Sequence, residues 1–492
     1  MKQTNYHLFD FMDFDPALQR DEALWKAYAP THIAERDGDI IVTIPYQKQL
    51  HQEDMAPDSA TPQQCFDLII RAYTVVGDSA AAPPAIVRLF TTMTGDPMLE
   101  HDDMLQMSPA VRRLPLRHVN GDVIATNGKK VAKIDLSTPV LDHWSDLLPP
   151  TQPAPVITFY PDGDETKGIA LSDDHFSPPR YDALPLGFVD SGSSAVYQTA
   201  ERATISFRCE PDECFVGTGE RFRKMDLSGQ TFQLKNQDGQ GVNNRRCYKN
   251  IPFYMSSRMY GCFYHTSDYC KLSLADHSTR SVQFLCDRAT LDVFLIGGQT
   301  PEEILRTYRM LTGFPQMPPL WSFGIWMSRM TYFSADEVDD ICDRLRREHY
   351  PCDVIHLDTG WFRTDWLCEW KFNPERFPDP EGFIRRLKEG GFKVSLWQLP
   401  YIAQGAEQIG EARQNGYISH PPMAADGSPV GESTGGGSNF STLDYAGTID
   451  FTCPKATDWY QHQLLKPLLE MGVKCIKTDF GENIHMDHRY HA

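Results

Sequence analysis

A lysine and two carboxylates lie close together at the end of one apolar run. Residues 473–482 read VKCIKTDFGE, a segment that is apolar and β-branched at its start and charged at Lys477, Asp479 and Glu482. The apolar part predicts a buried parallel strand, and because side chains alternate across a strand, Lys477 and Asp479 share one face. Catalytic groups of α/β barrels lie at the carboxyl ends of such strands. An ordinary ion pair at an exposed strand end would show the same pattern.

Two earlier apolar runs also end in residues that suit a sugar ligand. The run VIHLD puts His356 and Asp358 on one face, with Trp361 shortly after it, and the run VSLW ends at Trp397. Carboxylates accept hydrogen bonds from sugar hydroxyls, and flat aromatic faces pack against the C–H side of a sugar ring. Taken singly, Trp397 is more typical of a core and His356 of a buried, satisfied histidine. Taken together, these residues predict a sugar site.

The composition is that of a folded, acidic chain. Of the 492 residues, 41% are apolar and 11% aromatic, and the formal net charge is -19 from 47 basic and 66 acidic residues. This balance argues against nucleic acid and against anionic membrane surfaces as partners. A neutral or cationic small molecule suits the charge better, and a homo-oligomer stays possible.

Two further patterns indicate the compartment. The N-terminal segment MKQTNYHLFDFMDFD lacks the apolar core of a signal peptide, and no run approaches the length of a membrane span. The 12 cysteines are scattered without a C-x-x-C pair, which is typical of free thiols in a reducing compartment. We therefore expect a cytoplasmic protein.

The tail carries histidine at every third position, at His485, His488 and His491. Two ligands three residues apart can share a helix face, but a third one drifts away from it, and no second cluster supports a metal site. We therefore expect neither a metal nor another cofactor.

The chain changes its pattern near residue 300. Up to residue 299, short alternating runs broken by Gly, Pro, Asp and Asn predict an antiparallel sandwich, with long loops at residues 94–115 and 162–181. Helix starts follow at Thr300, Ser334 and Asp379, and they alternate with strands predicted at residues 321–327, 353–358, 392–399 and 473–479. A last helix is predicted at 458–471. Four strand–helix units in a row require a parallel sheet, doubly wound or closed as a barrel.

The same residues carry a resemblance to glycoside hydrolase family 31, in its bacterial α-xylosidase branch. The motif KTDFGE at 477–482 resembles the nucleophile motif of that family. Further motifs follow in the family's order over about residues 205–482, namely GTGERF at 217–222, YKNIPFYM at 248–255, HLD at 356–358, FPDPEG at 377–382 and PYI at 400–402. The resemblance implies an α+β multidomain fold. An N-terminal antiparallel β-sandwich (1–299) would be followed by the first four strands of a (β/α)8 barrel (300–492), with an insertion at about 405–445.

The resemblance also implies roles for individual residues. Asp479 would be the nucleophile of a retaining α-glycosidase, and Lys477 would bind a sugar hydroxyl beside it. Asp358 would accept hydrogen bonds from ring hydroxyls, Trp397 would form a wall, and Asp238 would reach the subsite from the sandwich domain. The strand-end pattern adds His356 and Trp361 to the candidates that bind the substrate.

The sequence departs from the family pattern in two ways. The family's general acid/base is an aspartate on a later strand, so we expect the chain that ends at Ala492 to be a C-terminally truncated and inactive form; Glu482 is a weak substitute. Thr359 and Gly360 stand where relatives carry bulkier residues, so the subsite looks open to glucosides as well as xylosides. The alternatives are a non-catalytic sugar-binding protein with a degenerate barrel, or an α-glucosidase or α-glycosyltransferase of the same family.

Overall fold

The structure is a computed structural model that describes most of the chain. The described residues are 23–48, 64–76, 85–93, 105–135, 155–171, 186–190, 202–236, 246–276, 278–420, 445–481 and 488–491. The chain divides into two compact units, Met1–Pro315 and Gln316–Ala492. The boundary expected after residue 299 stays a prediction.

The described part of the first unit is built from antiparallel strands and one helix. The strands are β1 (Ala23–Ala27), β2 (His32–Arg36), β3 (Asp39–Lys48), β4 (Gln64–Val75), β5 (Ile86–Met93), β6 (Val111–Leu114), β7 (Leu116–Val119), β8 (Asp122–Ala125), β9 (Lys130–Asp135), β10 (Val156–Phe159), β11 (Ile169–Ala170), β12 (Leu186–Asp190), β13 (Arg202–Arg208), β14 (Phe215–Gly219), β15 (Gln230–Leu234), β16 (Asn250–Ser256), β17 (Tyr260–Tyr264), β18 (Cys270–Leu274), β19 (Ser281–Cys286) and β20 (Asp292–Gly297). A 3₁₀ turn lies at Glu165–Lys167, and helix α1 (Pro301–Thr312) closes the unit.

Two sheets share the core of this unit. The larger one runs β14-β16-β17-β20-β5-β4-β3-β1-β12-β13-β19-β18-β15, with β2 and β6 paired to its side, and the smaller one runs β11-β10-β9-β8-β7. Fully buried side chains of both sheets, such as Phe66 and Ile205 of the larger and Ile134 and Phe159 of the smaller, belong to one apolar cluster. A two-layered antiparallel β fold follows from alternating strands that each bury one face.

The long loops predicted in this unit are partly wrong. Strand β6 pairs with β4 inside the segment 94–115, and β11 pairs with β10 inside the segment 162–181. Both strands are short, and β6 (VRRL) is half-exposed with two arginines, so its sequence carries no clear alternation of apolar residues. Residues 94–104 and 172–181 lie outside the described residues.

A glycine pair shapes the sheet near one of the family-like motifs. The register of β14 against β16 shifts between Gly217 and Gly219, and Thr218 between them has a φ of 64°. A positive φ is unusual for a β-branched residue, so the neighbouring contacts must hold this bulge in place. A Cβ on Gly219 would lie 2.1 Å from the carbonyl oxygen of Lys249, a distance that leaves room for glycine alone.

The described part of the second unit alternates strands and helices. Its strands are β21 (Trp326–Arg329), β22 (Val354–Leu357), β23 (Lys393–Gln398), β24 (Tyr401–Ala403), β25 (Tyr445–Thr448) and β26 (Cys475–Thr478), and its helices are α2 (Ala335–Arg347), α3 (Pro380–Glu389), α4 (Ile409–Asn415), α5 (Pro454–Trp459) and α6 (Lys466–Met471). The order β21-β22-β23-β26 forms a four-stranded parallel sheet, and β24 pairs with β25. The predicted parallel sheet is confirmed. Within the insertion expected at 405–445, residues 421–444 lie outside the described ones.

The predicted helix starts are confirmed by their caps. Thr300 accepts a hydrogen bond from the backbone N–H of Glu303, Ser334 from that of Glu337, and Asp379 from that of Gly382. These side chains satisfy backbone donors that have no partner within the helix.

Two element boundaries differ from the prediction. The strand expected at 321–327 is a 3₁₀ turn at Leu320–Phe323 followed by β21, because Pro319 and a hydrogen bond from Ser322 to its carbonyl start a turn there. The helix expected at 458–471 begins at Pro454, and its middle third is a π-helix at Tyr460–Leu465. Pro467 has no N–H to donate, and a π turn before it relieves the clash of its ring with the preceding turn.

The glycine pair yields a test of the fold. Gly219 and Gly128 both have positive φ values, of 94° and 80°, so alanine at either costs roughly 1–2 kcal/mol. Nothing lies within 4 Å of a Cβ on Gly128. We expect Gly219→Ala to lower the free energy of unfolding by ~3 kcal/mol or more, and Gly128→Ala by clearly less. Urea unfolding of the two variants checks this, and equal losses would contradict the tight packing at Gly219.

Candidate active site

The parallel register brings the candidate residues to one end of the sheet. His356 of β22 lies beside Ser395 of β23, and Ser395 lies beside Cys475 of β26. Two residues further along, Trp397 lies beside Lys477. Since side chains alternate along a strand, these paired residues point to the same face of the sheet. Asp358 directly follows β22, and Asp479 directly follows β26.

One lysine contacts both carboxylates. The Nζ atom of Lys477 lies 3.1 Å from Oδ2 of Asp479 and 3.3 Å from Oδ2 of Asp358. The side chains of Lys477 and Asp479 are 45% and 42% exposed, whereas that of Asp358 is 16% exposed. The site therefore carries two negative charges and one positive charge, and it is open to a ligand on the side of Lys477 and Asp479.

Three donors hold the carboxylate of Asp479. The indole N–H of Trp397 donates to Oδ2 at 2.9 Å, the backbone N–H of Phe480 donates to Oδ1 at 2.9 Å, and Lys477 completes the set. Burial acts to raise the pKa of Asp479, but these hydrogen bonds and the lysine charge outweigh it and hold the pKa below its ordinary value. Asp479 is therefore an ionised carboxylate at neutral pH.

Asp358 is ionised for similar reasons. Burial acts to raise its pKa, and hydrogen bonds from His356 and from the backbone N–H of Thr359, with the charge of Lys477, lower it overall. The two carboxylates act in turn on Lys477. Burial acts to lower the pKa of the lysine, and its contacts with Asp479 and Asp358 outweigh burial and raise it. All three groups are thus charged at neutral pH.

His356 is a buried link behind Asp358. It is 5% exposed, its Nε2 atom lies 3.1 Å from Oδ2 of Asp358, and its Nδ1 atom lies 2.9 Å from Oγ of Ser395. Ser395 is fully buried and was not among the residues predicted from the sequence. Only the register between β22 and β23 brings it to the imidazole.

The tryptophans belong to the wall of the core. Trp361 and Trp397 are each 1% exposed, and the indole N–H of Trp361 donates to the carbonyl of Trp397 at 2.8 Å. Trp366, which is half-buried, stands edge-on to Trp397 with ring centres 5.6 Å apart. The wall role expected for Trp397 stays a prediction, and Asp238 lies outside the described residues.

The backbone beside the nucleophile candidate is strained. Phe480, Trp366 and Trp370 have φ values of 55°, 71° and 54°, in the left-handed region that bulky residues avoid. The ring of Phe480 packs edge-on against Trp366, with centroids 6.3 Å apart. Such strain persists where surrounding contacts fix it, and it concentrates at functional sites.

A buried glutamine fixes the outer face of the same strands. Gln398 is 2% exposed and accepts a hydrogen bond from the indole of Trp370 at 2.6 Å. Its amide donates to Thr478 at 2.8 Å and also to the hydroxyl of Tyr460 in the π-helix. Thr478 lies between Lys477 and Asp479 in the chain, so this contact anchors the strand that carries both.

The open space expected at Thr359 and Gly360 is absent from the structure. Thr359 is fully buried, and a Cβ on Gly360 would lie 2.6 Å from Cγ2 and 2.8 Å from Cα of Thr331. Arg376 also donates to the carbonyl of Gly360 at 2.8 Å. The inference of an open subsite from this dipeptide is wrong, because its two residues pack against Met330 and Thr331, which directly follow β21.

Two of the three tail histidines form hydrogen bonds with other residues of the second unit. Nδ1 of His488 lies 2.9 Å from Oγ of Ser419, and the backbone N–H of His491 donates to Asp450 at 2.7 Å; His485 lies outside the described residues. Within the described ranges, no group of three or more His, Cys, Asp or Glu residues is placed to hold a metal ion. Among the described helices, none is long and apolar enough to span a membrane.

Comparison with known proteins identifies the family. Residues 315–491 match the family model of the glycosyl hydrolases family 31 TIM-barrel domain, and residues 157–272 match the glycosyl hydrolase 31 N-terminal galactose mutarotase-like domain. The chain belongs to glycoside hydrolase family 31, as its motifs predicted.

Two similar relatives are α-xylosidases. The chain is 38% identical over 277 residues to the α-xylosidase XylQ of Lactiplantibacillus pentosus, which covers 56% of this chain and 34% of the relative. It is 35% identical over 276 residues to an α-xylosidase of Emericella nidulans, which covers 55% and 34%. The alignment thus spans about a third of each relative.

A solved structure shows the same fold. The family 31 dextranase of Flavobacterium johnsoniae, solved in complex with glucose, has a TM-score of 0.68 and 19% identity to this chain. The likeness covers 94% of this chain and 50% of the dextranase chain.

The shared lysine yields a test of the site's electrostatics. We expect Lys477→Met to raise the pKa of Asp479, because the carboxylate loses a cation at 3.1 Å while its burial stays. Just above the wild-type pKa, the variant therefore holds a larger protonated fraction of Asp479. The carboxylate band in infrared difference spectra, assigned by subtracting Asp479→Asn, measures this titration.

Lys371→Met is the matched control. Lys371 is an exposed lysine that pairs with Glu407 at 2.7 Å, and its removal takes away the same charge. We expect the Asp479 titration to stay where it is in the control. A Lys477→Met protein with an unshifted titration would show that the lysine does not govern Asp479.

Proposed function

We propose that the protein carrying this chain is a retaining α-glycosidase that hydrolyses terminal α-xylosides or α-glucosides through a covalent glycosyl intermediate on Asp479. Membership of a glycoside hydrolase family supports this, as do the α-xylosidases that are 38% and 35% identical to the chain. Its partner would be an oligosaccharide or another glycoside.

The observation that carries the proposal is the state of Asp479. It is an ionised, half-exposed carboxylate at the carboxyl end of a parallel strand, with Oδ2 held by Trp397 at 2.9 Å and Lys477 at 3.1 Å. Oδ1 accepts a hydrogen bond from the backbone of Phe480 and keeps a lone pair for a ligand. A fixed and charged carboxylate is what attack on an anomeric carbon requires.

The reaction would run in two displacements. An oxygen of Asp479 forms a bond to the anomeric carbon as the bond to the leaving oxygen breaks, and that oxygen takes a proton from a general acid. In the second displacement the former general acid acts as a base and removes a proton from water. The water oxygen bonds to the anomeric carbon as the bond from that carbon to Asp479 breaks, which releases the sugar with retained configuration and frees the carboxylate. We assign the acid/base role to none of the described residues; Glu482 lies outside them.

The remaining site residues would bind the sugar. The ammonium of Lys477 would donate to a ring hydroxyl, and Oδ1 of Asp358 would accept from hydroxyls on the far side of the ring. Trp397 and Trp361 would form the apolar wall behind them.

We also propose domain bounds and a barrel topology, which are more detailed than the family match. We propose that residues 1–299 form an N-terminal β-sandwich domain and residues 300–492 the first half of a (β/α)8 barrel. The match of residues 315–491 to a TIM-barrel domain supports this, together with four parallel strands joined through helices. A cytoplasmic location and a homo-oligomer stay predictions.

A covalent trap tests the function. We expect a 5-fluoro or 2-deoxy-2-fluoro α-glycosyl fluoride to label the full-length protein once per chain, on the peptide that contains Asp479, because fluorine slows the release of the intermediate. Mass spectrometry of peptides locates the label. Asp479→Asn should abolish it.

Asp339→Asn is the matched control. Asp339 pairs with Arg386 between two helices, 2.7 Å away, and its replacement makes the same chemical change in the same unit. It should be labelled like the wild type. Label on another residue would reassign the nucleophile, and sugar binding without any label would favour the alternative of a non-catalytic sugar-binding protein.

Substrate preference is a separate prediction. We expect kcat/KM of the full-length protein to be higher for an aryl α-xyloside than for the matching α-glucoside, with both measurable. The two substrates differ by one hydroxymethyl group, and such a group is worth only about 1–3 kcal/mol of discrimination. The expectation rests on the two α-xylosidase relatives, since the supposed opening at Thr359 and Gly360 is packed. Hydrolysis of the glucoside alone would contradict it.

A further inference from the structure

His356 is buried, and both of its ring nitrogens are engaged by protein groups. It is 5% exposed, and both ring nitrogens already have partners, Ser395 on one side and Asp358 on the other. Its register neighbours on the two adjacent strands are Ser328 and Ser395, which are small and uncharged. Direct binding of a sugar, the role that the sequence suggested, would require one of these two contacts to break.

The protonation of the pair follows from its partners. Asp358 is ionised, and a carboxylate accepts hydrogen bonds without donating any, so Nε2 of His356 carries the hydrogen. The hydroxyl of Ser395 can donate to Nδ1 of a neutral imidazole, and it can accept from Nδ1–H of an imidazolium. Ser395 therefore keeps the ring in one orientation in either charge state.

The orientation of this ring matters for the nucleophile candidate. Oδ2 of Asp358 lies between two donors, His356 at 3.1 Å and Lys477 at 3.3 Å, while Oδ1 is held by the backbone N–H of Thr359 at 2.9 Å. The same lysine lies 3.1 Å from Asp479. Without the donor from His356, Oδ2 of Asp358 would be left with Lys477 as its one donor and would draw the ammonium away from Asp479.

We propose that His356 and Ser395 form a positioning pair that fixes Asp358 and thereby sets how Lys477 is shared between Asp358 and Asp479. The pair touches no reacting atom. The role of the pair in catalysis rests on the proposed glycosidase function. Its effect on the charge of Asp479 is independent of that function.

The experiment compares three variants of the full-length protein. His356→Leu fills much of the space without a donor, His356→Gln keeps an N–H near the position of Nε2, and Ser395→Ala removes the partner of Nδ1. The first readout is the infrared titration of Asp479, which needs no substrate. The second is the pH profile of labelling by the fluorinated glycosyl fluoride, resolved into a dissociation constant and a maximal rate.

We expect His356→Leu to move the Asp479 titration and the acidic limb of labelling to higher pH, and to weaken reagent binding about tenfold. His356→Gln should lie close to the wild type. Ser395→Ala should shift both curves in the same direction by a smaller amount, and it should add nothing in the His356→Leu background, because it acts through the ring.

The matched control is His265→Leu. His265 is also buried and its Nδ1 atom lies 2.7 Å from Asp292, but it belongs to the first unit. We expect His265→Leu to lower the melting temperature and to leave the Asp479 titration and the pH profile of labelling unchanged. If His356 had a purely structural role, His356→Leu would give the same result.

The outcomes separate the two proposals. A wild-type protein that takes no label overturns the glycosidase function, and the infrared titration then still decides on the pair. An unshifted Asp479 titration in folded His356→Leu overturns the pair. If His356→Leu fails to fold, an unshifted Asp479 titration in Ser395→Ala overturns the proposed pair.

Discussion

The site depends on one cation that two carboxylates share. Asp358 and Asp479 follow β22 and β26, the two strands that flank β23, so like charges lie close together in a partly dry environment, and burial alone would raise the pKa of both. A unit charge about 4 Å away is worth roughly 1 kcal/mol in bulk water and roughly 4 kcal/mol near a protein surface. Lys477 supplies such a charge to both carboxylates, at 3.1 Å from Asp479 and 3.3 Å from Asp358. Together with the neutral donors, this charge outweighs burial, and the three groups retain one net negative charge.

The sheet is built so that this lysine reaches both partners. Lys477 and Trp397 are register neighbours, so one pairing of β23 with β26 positions both the cation and the indole that hold Asp479. A shift by one residue would turn every side chain of β26 to the other face. Gln398 opposes such a shift from the outer face through its hydrogen bond to Thr478. The left-handed backbone of Phe480 then ends the strand and turns an N–H toward the carboxylate.

What the sequence could predict here is local. Alternation along a strand depends on neighbouring residues, so it correctly predicted that Lys477 and Asp479 lie side by side. Helix caps such as Ser334 were predictable for the same reason. Contacts between strands depend on register, which a single strand does not encode. Ser395 behind His356 and the burial of Gly360 against Thr331 were therefore out of reach, and the second led to a wrong inference about the subsite.

Trp397 shows why burial and function cannot be separated in this site. It is 1% exposed and part of the apolar core, and by that measure its role is structural. Its indole N–H nevertheless donates to Asp479, and its carbonyl accepts from the indole of Trp361, another core residue. A loss of packing around Trp361 would displace the donor on Asp479 and weaken the ionised state of the carboxylate. The core and the nucleophile candidate are thus held by the same contacts, so a change that loosens one also changes the charge of the other.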